Sequence, residues 1–229
     1  MSRLSDIILF CLHPITGSRR LQREPRWVAA FFLLAFILVV VTIAMQVFNA
    51  SATAERLPPS ANATQVIEQL HQEMFLRCAF LPFRLMAGWG TFSLLLYYVC
   101  KAFRPPEMLR FVQILALEIH AECAFVVSRI VSLVALALAA QQNDYQRFGF
   151  PFSGLWLVGP ERDFVPSALL ATLNIFTFWY IVLLAAGVSV LCGFRRFQAF
   201  LIVFAAWAAS AGFNIGVLKL LKDTMHLLV

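Results

Sequence analysis

The chain has 229 residues, of which 61% are apolar and only 13% charged, and its mean hydropathy is +0.81. Soluble domains run about half apolar and about a quarter charged, so this composition excludes a disordered chain, a nucleic-acid module and an ordinary soluble enzyme, and leaves a multi-span membrane protein. The net charge of +6, from 18 Lys and Arg against 12 Asp and Glu, reads as topology rather than as attraction to an acidic partner, because basic residues gather in the cytoplasmic loops of membrane proteins.

From the N-terminus, Leu4, Ile7, Ile8, Cys11 and Leu12 recur at helical spacing until Pro14 stops the run, and Arg19, Arg20 and Arg23 follow. This predicts a short amphipathic helix on the inner membrane surface, within a cytosolic segment over 1–26. A spanning helix needs about 20 mainly apolar residues. Stretches at 27–48, 80–100, 121–140, 168–192 and 197–217 qualify, so 27–229 reads as one five-span membrane domain. The second stretch carries Pro82 and Arg84 near its start. Before it, Val66, Ile67, Leu70, Met74 and Cys78 form an apolar face opposite Glu68, Gln72 and Glu73, which predicts a second peripheral helix running toward Pro82. Residues 49–72 are polar with Pro58-Pro59, 101–109 carry Pro105-Pro106, 141–166 are rich in Gly and Pro, and 193–196 form a tight basic turn. No internal repeat is visible. The expected fold is all-α: an integral membrane bundle of five transmembrane helices with short peripheral amphipathic helices.

With the N-terminus inside, ten basic residues fall on the inner side (Arg3, Arg19, Arg20, Arg23, Arg26, Lys101, Arg104, Arg110, Arg195, Arg196) and six on the outer (Arg56, Arg77, Arg147, Arg162, Lys219, Lys222). The bias predicts a cytoplasmic N-terminus and an external C-terminus. Ala52-Thr53-Ala54 resembles a signal-peptidase site, but a leader of that length exceeds the usual 15–30 or so residues, so the first span is read as retained.

Chemistry-bearing motifs are sparse. No GxGxxG, Walker loop, HExxH or GxSxG occurs, so neither catalysis nor a cofactor is expected. The cysteines Cys11, Cys78, Cys100, Cys123 and Cys192 form no CxxC and are expected to act as small hydrophobes. The run from Glu118 to Cys123 looks metal-like, but His120 lies about 200° around the helix from Glu118, while Glu118 and Glu122 share a face; no metal site is expected. The sequons Asn49-Ala50-Ser51 and Asn62-Ala63-Thr64 occur, but such tripeptides are frequent by chance and Asn49 abuts the first span.

Three intramembrane charges stand out: Glu118, Glu122 and Arg129. Arg129 lies eleven residues inside Ala140, about 16 Å, near the midplane of a core about 30 Å thick. It is expected to face the bundle interior. Its candidate partner is Glu122, seven residues earlier on nearly the same face, with carbonyls of a broken helix or Asn174 as alternatives. Arg84, nearer a span end, can snorkel. In the fifth span Ala208, Gly212 and Gly216 recur every four residues, which predicts a face for close helix–helix packing. Asn174 and Asn214 are candidates for hydrogen bonds between helices.

The fourth and fifth spans read Asn174-Ile175-Phe176-Thr177-Phe178-Trp179, then Leu183 and Gly187, the turn Gly193-Phe194-Arg195-Arg196-Phe197-Gln198-Ala199, and Trp207. This pattern resembles the C-terminal half of the Yip domain family, the five-span Ypt/Rab-GTPase-interacting membrane proteins. His13-Pro14, Glu24-Pro25-Arg26-Trp27 and the Pro82-containing second span are similar to the family too, so the resemblance covers nearly the whole chain, with Asn174, Phe176, Trp179, Gly187 and Trp207 as its sharpest residues. It implies a cytosolic N-terminus and a lumenal or external C-terminus. The third span lacks the Gly-Tyr element and following Pro of eukaryotic members, and the cytosolic N-terminus is short, so Rab binding is not carried over. The short form is closest to the bacterial relatives, which implies the bacterial inner membrane, or Golgi and ER in a eukaryote.

The expected function is a non-enzymatic membrane scaffold or adaptor in membrane organisation or trafficking. Its partners would be the lipid bilayer and a membrane protein or a second copy of the chain, with no nucleic acid. The alternative is a small transporter or permease-like subunit using the charges of the third span; a membrane enzyme is a third option. A polar cavity reaching Arg129 favours transport, and a closed apolar bundle favours the scaffold.

Overall fold

The computed structural model of the chain describes residues 3–54, 63–103, 109–142 and 172–226. Their elements are helices: α1 (Arg3–Leu12), α2 (Pro14–Arg23), α3 (Val28–Ala54), α4 (Ala63–Ala102), α5 (Phe111–Ala121), α6 (Cys123–Gln142), α7 (Ile175–Cys192) and α8 (Arg196–His226). Five stretches are long and apolar enough to cross a membrane: Val28–Phe48, Cys78–Ala102, Phe111–Leu138, Ile175–Cys192 and Arg196–Val217. The protein is an all-α membrane bundle. The outer peripheral helix and the second span are one continuous helix, α4, of 40 residues, about 60 Å long at 1.5 Å per residue. The apolar face expected at Val66, Ile67, Leu70 and Met74 lies outside the described side chains. So do Asn62, most of the 141–166 linker and the start of the fourth stretch at 168–171.

The third apolar stretch begins at Phe111, ten residues before its expected start, and is divided at Glu122. Its first part, α5, is buried at every position from Gln113 to Ala121. A helix buried on every face belongs to a core, and α5 sits among α1, α2, α4 and α7. Its N-terminus is fixed by Gln113, whose Oε1 accepts from the Arg110 backbone N–H at 2.9 Å while its Nε2 donates to the Gln22 carbonyl at 2.8 Å. That second bond ties α5 to the end of α2.

Height along the bundle follows from aromatic contacts. Phe31 of α3 meets Trp89 of α4 with ring centroids 5.5 Å apart, and Trp89 lines the same cavity as Glu122 at the α5–α6 break. The first span thus begins close to the level of that break, and α3 packs along α6 far more than along α5. The bundle has two tiers. In the near tier, α1, α2 and α5 pack with the C-terminal part of α7. In the far tier, α3, α6 and the N-terminal part of the second span enclose a lateral cavity.

α1 and α2 form a helical hairpin. Pro14 sits at the start of α2, where its missing N–H costs nothing, and Ser18 Oγ donates to the Pro14 carbonyl at 2.6 Å. Gly17 allows the close approach: a Cβ there would come within 2.7 Å of Phe10 Cα. Asp6 and Arg20 close the hairpin with a 2.6 Å ion pair. Its apolar side enters the core, with Phe10 0% exposed.

Candidate functional site

The polar groups of the third apolar stretch, Glu118, His120 and Glu122, lie at and just before the junction of the tiers. Glu118 is 1% exposed, and its Oε1 accepts a 2.6 Å hydrogen bond from Tyr180 Oη of α7. Its other oxygen, Oε2, is buried without a hydrogen-bond partner. His120, on another face of α5 as helical geometry requires, donates from Nδ1 to the Ala116 carbonyl at 2.7 Å and turns its ring edgewise to Phe10 at 5.9 Å. Glu122 stands at the break itself, its backbone at φ −59° and ψ −14°, with Trp89 beside it in the wall of one cavity. Among the described residues no three His, Cys, Asp or Glu gather as a metal site.

Arg129 lies two helical turns beyond Glu122, and it is exposed rather than turned into the bundle interior as expected. The expected ion pair between them is not formed: neither Arg129 nor Arg84 has a carboxylate within ion-pair distance among the described residues. The reason is local. Seven residues of helix separate the two positions by about 10 Å along the axis. They share a cavity instead, of about 810 Å³, lined by Glu122, Arg129 and Arg84 with Thr42 and Gln46 of α3 and with apolar side chains of α3, α4 and α6.

The small-residue face of α8 points away from the bundle. Ala208, Gly212 and Gly216 are exposed, and a Cβ at either glycine meets nothing within 4 Å, so the expected packing is not made within the protomer. The close approach occurs at Gly187 of α7, where a Cβ would overlap the Leu117 side chain of α5. Asn214 is exposed. Asn174 bonds within its own helix: its Oδ1 accepts from Thr177 N at 2.8 Å and caps α7. Trp179 and Trp207 pack, partly buried, against the core, and Phe176 is half-buried. The turn between α7 and α8 is built from the same sequence pattern. Gly193 takes the left-handed conformation at φ 69° that glycine adopts without a Cβ penalty, Ser189 Oγ donates to the Phe194 carbonyl at 2.8 Å, and Gln198 Oε1 accepts from Arg195 N at 3.3 Å.

Two cysteine pairings were not foreseen. Cys11 and Cys123 are joined as a disulfide across 112 residues, and the buried free thiols of Cys100 in α4 and Cys192 in α7 are neighbours. Neither spacing carries a local signature, since each pair is made by helix docking. Tyr180 and Trp89 were also missed. Their signal was chemical: a buried phenol or indole needs a polar partner, and Glu118 and Glu122 were the nearby acceptors.

The Yip1 domain model matches residues 8–218. No curated protein and no solved structure matches the chain.

Proposed function

The chain belongs to the Yip1 domain family, and from that premise we propose that it acts as a non-enzymatic membrane scaffold or adaptor in membrane organisation or trafficking. One observation carries this reading: the polar groups between the tiers are closed in by packed side chains. Tyr180 bonds one oxygen of Glu118, and the Ala116 carbonyl accepts from His120. They are bracketed by Ile114, Leu117, Ile119 and Leu184, all fully buried. A transporter needs a polar route through such a layer, and this one is packed. The N-terminus is placed in the cytoplasm and the C-terminus outside, supported by the arginines of α2 and of the α7–α8 turn on one end of the bundle. The membrane is the bacterial inner membrane, on the likeness to short family members. Partners are a membrane protein or a second copy of the chain; binding of a Rab-type GTPase is not carried over from the family.

A second reading, a small transporter, is favoured by the cavity that reaches Arg129. The two are separated by chemical crosslinking and affinity capture from native membranes, run beside solute-flux assays in proteoliposomes. A discrete co-captured membrane protein with no flux supports the scaffold. Saturable flux lost in Arg129→Ala supports the transporter.

A further inference from the structure

The cavity of the far tier holds two arginines, neither with a carboxylate at ion-pair distance among the described residues. Its depth is set by α3: it touches Leu38, ten residues inside the first span, and Gln46, two residues from that span's far end at Phe48. Eight residues of helix cover about 12 Å, so the cavity runs from near mid-span toward the far interface. Arg84 and Arg129 reach it from different helices, α4 and α6. A lone cation at such depth is costly unless it is paired or reaches the interface. Here two are collected in one recess, beside the hydroxyl of Thr42. Gln46 Oε1, in the same wall, is buried without a hydrogen-bond partner.

We propose that this recess binds the phosphate group of an anionic phospholipid between Arg84 and Arg129. Guanidinium groups present paired N–H donors that match phosphate oxygens and attract the charge as well. The carboxylate of Glu122, at the inner end of the lining, leaves one net positive charge when ionised and two when protonated, so the recess is cationic in both states and one phosphodiester charge balances the first. The remaining wall is apolar: Leu76, Phe80, Leu81, Leu85 and Phe125. A free phosphate ion has nothing to offer that surface, whereas acyl chains cover it. The phosphate chemistry is common to both ligands, and the apolar wall selects the lipid. This inference is independent of the scaffold reading.

The test is native mass spectrometry of the full-length protein in detergent, titrated with phosphatidylglycerol or phosphatidylcholine, together with thermal unfolding in the presence of inorganic phosphate. Phosphatidylglycerol is expected to be retained over phosphatidylcholine. Arg84→Gln and Arg129→Gln should each weaken its retention by about tenfold, the scale of one charge-assisted hydrogen bond, while Arg23→Gln on α2 leaves it unchanged. If Arg129→Gln does not fold, Arg84→Gln and Arg84→Lys carry the comparison, with lysine restoring part of the retention. Equal retention of both lipids, no retention, or retention indifferent to the arginine changes overturns the proposal. Arginine-dependent stabilisation by inorganic phosphate alone, without preferential phosphatidylglycerol retention, assigns the site to a free anion and overturns the lipid.

Discussion

Tyr180 Oη donates a 2.6 Å hydrogen bond to Glu118 Oε1, joining residues 62 apart in the chain and both buried in the core. The bond couples α7 to α5 at the level where the two tiers meet. Because Glu118 Oε2 already lacks a partner, removing the phenol leaves the whole carboxyl group unsatisfied. Tyr180→Phe should therefore destabilise the protein by about 1–3 kcal/mol, the cost of a stranded buried acceptor. Thermal unfolding in detergent reads this, and Tyr180→Phe combined with Glu118→Leu should recover part of the loss, since the stranded group is then gone.

Arg129 and Glu122 should be energetically independent. They share a cavity without an ion pair, and Trp89 lines the same cavity beside the glutamate. A double-mutant cycle of Arg129→Ala with Glu122→Ala should show coupling within about 0.5 kcal/mol, whereas Trp89→Phe with Glu122→Ala should show about 0.5–3 kcal/mol. A large coupling in the first cycle would restore the direct pair.

Glycine substitutions should rank by their surroundings. At Gly187 a new Cβ overlaps Leu117, a fully buried side chain, so Gly187→Ala should cost about 1–3 kcal/mol through overpacking. Gly212→Leu and Gly216→Leu project from an open face and should change unfolding of the monomer by no more than about 0.5 kcal/mol. Size-exclusion chromatography of the same variants checks whether that face meets a second copy.

Reporter fusions address orientation. A cytoplasmic reporter should be active near Arg104 or Arg195, and an external one near Ser60, Asn143 or Val229, as the ten-to-six division of basic residues requires. An external α7–α8 turn would contradict five alternating spans.

The spans and the local devices were legible in the residues themselves, because both depend on neighbours along the chain. Twenty apolar residues make a spanning helix wherever they lie, and the turn at 193–196 follows from a glycine tolerant of positive φ beside polar residues that close short-range hydrogen bonds. Asn174 was read inside the fourth apolar stretch as a candidate for bonds between helices, and its bond goes to its own helix instead. Which way a helix face points is a different kind of fact. Gly212 and Gly216 carry the right spacing for packing, yet α8 turns them outward, while Gly187, without such a repeat, lies against Leu117. Phe10 meets His120, Cys11 meets Cys123, and Tyr180 meets Glu118 only because α1 and α7 dock on the third apolar stretch. Hydropathy is summed over a window and has no direction around the helix; docking depends on direction and shape across more than 60 residues of chain. Those contacts, and the recess holding Arg84 and Arg129, come into being only when the helices assemble.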